Sequence, residues 1–222
     1  MVDVDAYMAF MGIDSFPPFT EECFDLDLNQ EHIKAAKAEY DYQTKEQKLH
    51  VPSGINIPRF LLYHELTHIL DMNNYSTGER NHDYCLTGFT EYHASQVELM
   101  VLLGADKVTD RISFSMSDSA NYLGWSVKDF VDNKFNIAKD LIISANSAER
   151  LDGLGVLYNF LGLRSICIMY SKDYDDKYTY QTFMEKLSTM QIYHLRNTMT
   201  GWIEDVEKAV ALYSNVVGAV YQ

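Results

Sequence analysis

Two histidines and a glutamate stand at a spacing that chemistry can use: His64, Glu65 and His68, within the run Arg-Phe-Leu-Leu-Tyr-His-Glu-Leu-Thr-His-Ile-Leu-Asp-Met from Arg59 to Met72. On a helix, side chains at i and i+4 lie one turn apart on the same face. Both imidazoles of this H-E-x-x-H can therefore reach one Zn²⁺ ion. Glu65, about 100° round the helix, can act as a base towards water at that ion. Leu62, Leu66 and Ile69 form the opposite face, widened by Tyr63 and Leu70. A helix that is apolar everywhere except at its metal face suits a buried active site.

A catalytic zinc takes three protein ligands and keeps one position open. The metzincin pattern needs Gly where Asp71 stands and His where Asn74 stands, so it is excluded. A carboxylate from a later helix is the gluzincin arrangement. Glu91 ranks first for that role and Glu98, on the same helical face with Ser95 between them, ranks second. His93 points away from that face. His82 and Asp83 are weaker candidates, and Cys85, between the two parts of the site, reads more simply as a buried thiol. Tyr75, Arg80, His82 and Tyr92 are candidate donors to an oxyanion. Asp71, one turn beyond His68, could orient a ligand imidazole or cap a neighbouring backbone group.

The elements that must position these groups can be read in outline. Ala6 to Met11 suits a short helix before Ser15-Phe16-Pro17-Pro18. Glu31 to Ala38 fits either a helix or the approach to a strand. Ala38 to Asp41 and Gln47 to Val51 read as two short strands around the turn Tyr42 to Glu46. Pro58 opens the H-E-x-x-H helix. Glu79 to Gly88 reads as a polar loop, Phe89 to Leu103 as a helix ended by Gly104, and residues 113 to 124 as a serine-rich loop. Helical periodicity then runs through Val127 to Ile142 and through Leu151 to Tyr170. A short helix is expected around Phe183, Met184, Leu187 and Met190, and one long helix from Ile192 to Tyr213. The expected fold is α+β: a zincin-like metallopeptidase core over residues 1–112, made of a small sheet or hairpin and the active-site helix. A mainly helical region over 113–222 packs on it. The hairpin strand beside the metal could pair with an extended peptide.

The run Ala38 to Leu103 resembles the ImmA/IrrE-type metallopeptidases of bacteria and their mobile elements. In that family a hairpin precedes an H-E-[LIF]-[GT]-H helix, and a later helix carries E-x-x-A-[ND]. The corresponding residues here are His64-Glu65-Leu66-Thr67-His68 and Glu91-Tyr92-His93-Ala94-Ser95. The resemblance implies Zn²⁺ held by His64, His68 and Glu91, with Glu65 as the base. It also implies peptide hydrolysis, with a regulatory protein encoded nearby as the class of substrate. Ser95 departs from the family's Asn or Asp at a position that supports the site, and the family's downstream segment ending in Met-Pro is absent. The resemblance covers under a third of the chain.

Composition sets the remaining bounds. The 222 residues are 47% hydrophobic and carry a formal net charge of −14. They suit a compact protein with a sizeable core and disfavour a nucleic-acid partner. Three cysteines without a C-x-x-C motif point to a reducing compartment. The acidic start lacks a signal peptide's basic region, and the apolar run Gly153 to Tyr170, interrupted by Asn159 and Arg164, reads as a core helix with no membrane role. The expected setting is cytoplasmic, with a protein or peptide substrate and with the C-terminal helices serving the core or a homo-oligomer. Two other classes compete. One is a catalytically inactive zinc protein acting as a helical partner-binding or regulatory module, which a fourth ligand such as Cys85 or His82 would favour. The other is an acidic mimic of DNA.

Overall fold

The computed structural model describes residues 2–25, 36–41, 44–122, 124–144, 147–178, 183, 186–196 and 200–218. Its elements run α1 (Val4–Met11), β1 (Thr20–Phe24), β2 (Lys37–Tyr40), β3 (Gln47–Pro52), α2 (Arg59–Tyr75), α3 (Arg80–Leu102), α4 (Val127–Ser144), α5 (Ser147–Tyr170), α6 (Thr189–Arg196) and α7 (Val206–Gly218). The fold is α+β and mostly helical. The sheet is mixed, in the order β1-β3-β2. β2 and β3 form the antiparallel pair anticipated from two short runs around a polar turn, with Ala38 opposite Leu49 and Tyr40 opposite Gln47. β1, which periodicity did not reveal, adds in parallel to the far side of β3. This leaves β2 as the edge that packs against α2.

The H-E-x-x-H segment lies within α2. Its back is buried through Phe60, Tyr63, Leu66 and Leu70. Thr67, the variable fourth residue of the motif, donates to the carbonyl of Tyr63 at 2.7 Å, and its oxygen meets the hydroxyl of Tyr7 at 3.0 Å. Tyr7 and Tyr63 also meet edge to face at 5.1 Å, so α1 seats on the face of α2 that turns away from the histidines. Asp3 caps α1 by accepting from the amide of Ala6.

Three expectations about element boundaries are corrected. The polar stretch Glu79 to Gly88 is no loop: α3 begins at Arg80 and runs for 23 residues. Asp83, fully buried, accepts hydrogen bonds from Ser76, Thr77 and Gly78 and ties the preceding turn to the helix. Gly88 lies within the helix, and a Cβ there would collide with the ring of Tyr213; its absent side chain serves close packing and does not end the helix. The single C-terminal helix is instead two, α6 and α7, parted around Gly201, which holds φ at +89°. The Gly201 peptide is gripped from both sides. Its amide donates to Ser165 Oγ at 2.6 Å, and its carbonyl accepts from Tyr92 and from Gln96. The helix expected around Phe183 to Met190 begins only at Thr189; Phe183 and Leu187 are buried ahead of it, and Met184 lies outside the described residues. Residues 31–35 of the uncertain Glu31 to Ala38 stretch, and 42–43 of the hairpin turn, also lie outside them.

The two halves of the chain share one core. A continuous buried cluster runs from Tyr7 and Leu49 through Leu66, Tyr92 and Val97 to Phe135, Leu157, Phe160 and Val216. α3 is its spine, packing against α2, α5 and α7. The segment Asp152–Tyr170 is long and apolar enough to cross a membrane, but 67% of it is buried inside the fold. Its apolar surface faces the protein's own core.

Candidate metal centre

α2 and α3 lie side by side, and the histidines of the first face the first acid of the second. Nε2 of His64 and Nε2 of His68 are 3.1 Å apart. Oε2 of Glu91 lies 3.7 Å from the former and 3.6 Å from the latter. A tetrahedral ion with bonds of about 2.0–2.2 Å separates its ligand atoms by about 3.3–3.6 Å. The three observed separations bracket that range, so the triangle fits one ion without rearrangement. Two imidazole nitrogens and one carboxylate oxygen form a donor set suited to zinc. Among the described residues, no fourth His, Cys, Asp or Glu joins this group.

The surrounding charges favour a cation. Burial alone would lower the pKa of His64, but the carboxylates of Glu91 and Glu98 outweigh it and push the imidazole up to about 10. Burial likewise raises Glu91, yet His68 and His64 hold it well below the usual carboxylate range. Glu98, the second candidate ligand, does not point at the triangle. Its Oε2 accepts from Nδ1 of His64 at 3.1 Å. That bond keeps a ring proton on Nδ1, so Nε2, which faces Glu91, is the nitrogen that can give up its proton to an ion. Burial pushes the carboxyl of Glu98 up, but Lys134 from α4, 3.9 Å away, and His64 bring it below its ordinary value. The helical C-terminal half thus reaches into the support of the site.

Glu65 borders the same cleft, which has a volume of about 380 Å³. Its Oε2 accepts from the backbone N–H of Ala38 at 2.6 Å. β2 therefore turns Ala38 away from its partner strand and towards the helix. Alternate residues of a strand share an edge, so Tyr40 also presents its backbone to the cleft, which both residues line.

The remaining sequence candidates lie elsewhere. Asp71 does not orient a ligand imidazole: both its oxygens lie 3.0 Å from Nδ1 of His93, on the other side of the helix pair. Burial would lower the pKa of His93, but the Asp71 carboxylate raises it. Tyr75 is exposed and packs its ring on Phe89. His82 lies between Asp83 and Glu207, at 3.2 and 3.3 Å. Arg80 is exposed at the start of α3. Tyr92 is fully buried and donates to the carbonyl of Gly201 at 2.9 Å; burial pushes its phenol up to about 12. Ser95 does face the site, but indirectly, by donating to Oδ1 of Asn159 at 2.7 Å. Asn159, on α5, lines the cleft beside His64, Glu65, His68 and Glu91. Sequence reasoning did not assign it a role. The available signal was a single amide interrupting the most apolar helix of the chain.

No protein-family model, curated protein or solved structure matches the chain.

Proposed function

We propose that this protein is a zinc-dependent metallopeptidase of the ImmA/IrrE type, with the sheet, α2 and α3 as its zincin-like core. The observation that carries the reading is the convergence of His64, His68 and Glu91 on one ion-sized triangle, with Glu65 beside it and an open cleft in front. When bound, zinc supplies a Lewis acid that acidifies water and polarises a carbonyl.

The chain's own residues supply the rest. Glu65 takes a proton from the attacking water and delivers it to the leaving amine nitrogen. The edge of β2 receives the extended backbone of a peptide through main-chain hydrogen bonds at Ala38 and Tyr40. Because Glu65 engages the Ala38 amide, an arriving peptide competes with Glu65 for that N–H and frees the carboxylate as it binds. The substrate class suggested by the resemblance is a regulatory protein, and the setting a reducing one; Cys23, Cys85 and Cys167 are all free thiols.

The test is elemental analysis of the purified protein, wild type beside His64→Ala and Glu91→Ala. It is followed by incubation of the zinc-loaded wild type and Glu65→Gln with a mixture of unfolded polypeptides. Near-stoichiometric zinc in wild type, lost in His64→Ala and reduced in Glu91→Ala, with new peptide termini produced by wild type alone, is the expected result. Full zinc in wild type with no cleavage in any mixture would favour the partner-binding reading. Protein that takes up no zinc would overturn both.

A further inference from the structure

Peptide hydrolysis develops negative charge on the carbonyl oxygen, and a donor already aimed at that oxygen lowers the barrier more than one that must first be ordered. We propose that the side-chain amide of Asn159 is that donor, and that Ser95 is the residue that positions it. The inference rests on the metallopeptidase reading above.

The geometry behind it begins with a glycine. Gly162 on α5 has no room for a side chain: a Cβ there would run into the carbonyl oxygen of Tyr92, and it would lie 3.1 Å from Cβ of Ser95. The two helices therefore cross at near backbone contact at a point one turn beyond Glu91. Asn159 stands three residues before Gly162, on the same side of α5. The close crossing brings it to the wall of the cleft, where it is only 8% exposed.

Its orientation is set by Ser95. The Ser95 hydroxyl is itself fully buried and donates to Oδ1 of Asn159. With the oxygen engaged, the amide nitrogen is left as a donor with no hydrogen-bond partner among the described residues. The nitrogen is not sealed from solvent, so it opens onto the cleft and is free to donate to what binds there. Ser95 lies one turn beyond Glu91 on α3, so one helix face holds both a metal-ligating carboxylate and the group that aims the amide.

The other candidate donors are engaged or unrestrained. The hydroxyl of Tyr92 is on Gly201, both His82 nitrogens have carboxylate partners, and Tyr75 lies outside the cleft. Gln47 also lines the cleft, but no side-chain hydrogen bond among the described residues fixes its amide. Preorganisation separates the two amides and favours Asn159.

The experiment uses the full chain loaded with cobalt(II), whose visible spectrum reports ligands entering the site. Two probes are titrated: phenylphosphonate, a tetrahedral oxyanion, and acetohydroxamate, which engages the metal in a plane. The readout is the ratio of their affinities in wild type, Asn159→Ala, Asn159→Asp and Ser95→Ala. Asn159→Asp keeps an oxygen for Ser95 but replaces the donor with a charge that itself repels the phosphonate, whereas Asn159→Ala removes the donor without adding charge, so the neutral variant decides whether the amide is merely structural. The expected result is a phosphonate preference that falls about tenfold or more in both Asn159 variants and by a smaller factor in Ser95→Ala, with cobalt stoichiometry retained. An unchanged ratio in Asn159→Ala would overturn the assignment while leaving the metal site standing. Cobalt-loaded wild type that does not respond to phenylphosphonate would do the same. Wild type that binds no cobalt would overturn the metallopeptidase reading and this inference together.

Discussion

Glu98 Oε2 lies 3.1 Å from Nδ1 of His64, the ring nitrogen that does not face Glu91. Two acids seven residues apart on α3 thus act on opposite sides of one imidazole. Glu91 shares the ion-sized triangle with it, and Glu98 fixes its tautomer. Carboxylates placed this way typically raise metal affinity 10–100-fold. Glu98→Gln keeps an acceptor for Nδ1–H but loses the charge, and its zinc affinity should fall about tenfold. Glu98→Ala should lose up to about a hundredfold. Competition with a chromophoric chelator measures both; undiminished affinity in Glu98→Ala would show that His64 needs no such support.

Glu65 is assigned proton transfer and no share in holding metal. Glu65→Gln preserves an oxygen for the Ala38 amide, so structure and zinc content should match wild type. Turnover should drop by about 10²–10⁴-fold, the range for losing a positioned general base. The comparison needs zinc stoichiometry and cleavage rate on the same preparation. An active Glu65→Gln enzyme would remove Glu65 from the mechanism.

The crossing of α3 and α5 leaves no space at Gly162. Gly162→Ala forces the helices apart, and overpacking of this kind destabilises by about 1–3 kcal/mol. The urea midpoint should fall accordingly. Gly155 provides the control, since nothing lies within 4 Å of a Cβ placed there. Gly155→Ala should be neutral or slightly stabilising, because alanine is the better helix former.

Asp83 links stability to pH. Burial would raise its carboxyl, but hydrogen bonds from Ser76, His82 and the amides of Thr77 and Gly78 hold it below the usual range. A depressed folded value means that the ionised group stabilises the fold above the unfolded pKa of about 4. That contribution declines as pH falls through the folded value. Asp83→Asn should lose about 1–3 kcal/mol at pH 7, and its gap from wild type should narrow at pH 3. Urea unfolding at the two pH values decides; a gap that stays constant would assign the loss to geometry and not to charge.

The histidine half of the site was legible because it is local. His64, Glu65 and His68 lie within five residues, and helical periodicity alone puts the two imidazoles on one face and the apolar residues behind them. The hairpin strands were legible for the same reason, through their short runs and the polar turn between them. Glu91 and Glu98 could be ranked but not separated by role, because both occupy the correct face of one helix. Their difference depends on how α3 is offset along α2.

What the chain alone determined, then, is an α+β protein with an H-E-x-x-H helix whose two histidines share one face. What only the tertiary structure decided is every relationship that joins distant elements. The amide of Asn159 is brought to Ser95 across 64 residues. Lys134 approaches Glu98, and Asp71 turns to His93 and away from the ligand imidazoles. Tyr92 is drawn off the cleft by a glycine 109 residues away. Gly88 reads as the end of a loop in sequence but, like Gly162 inside its helix, is a contact point in space, since a missing Cβ serves a close approach as readily as a turn. Periodicity reports which way a side chain faces from its own helix; only packing decides what it meets there.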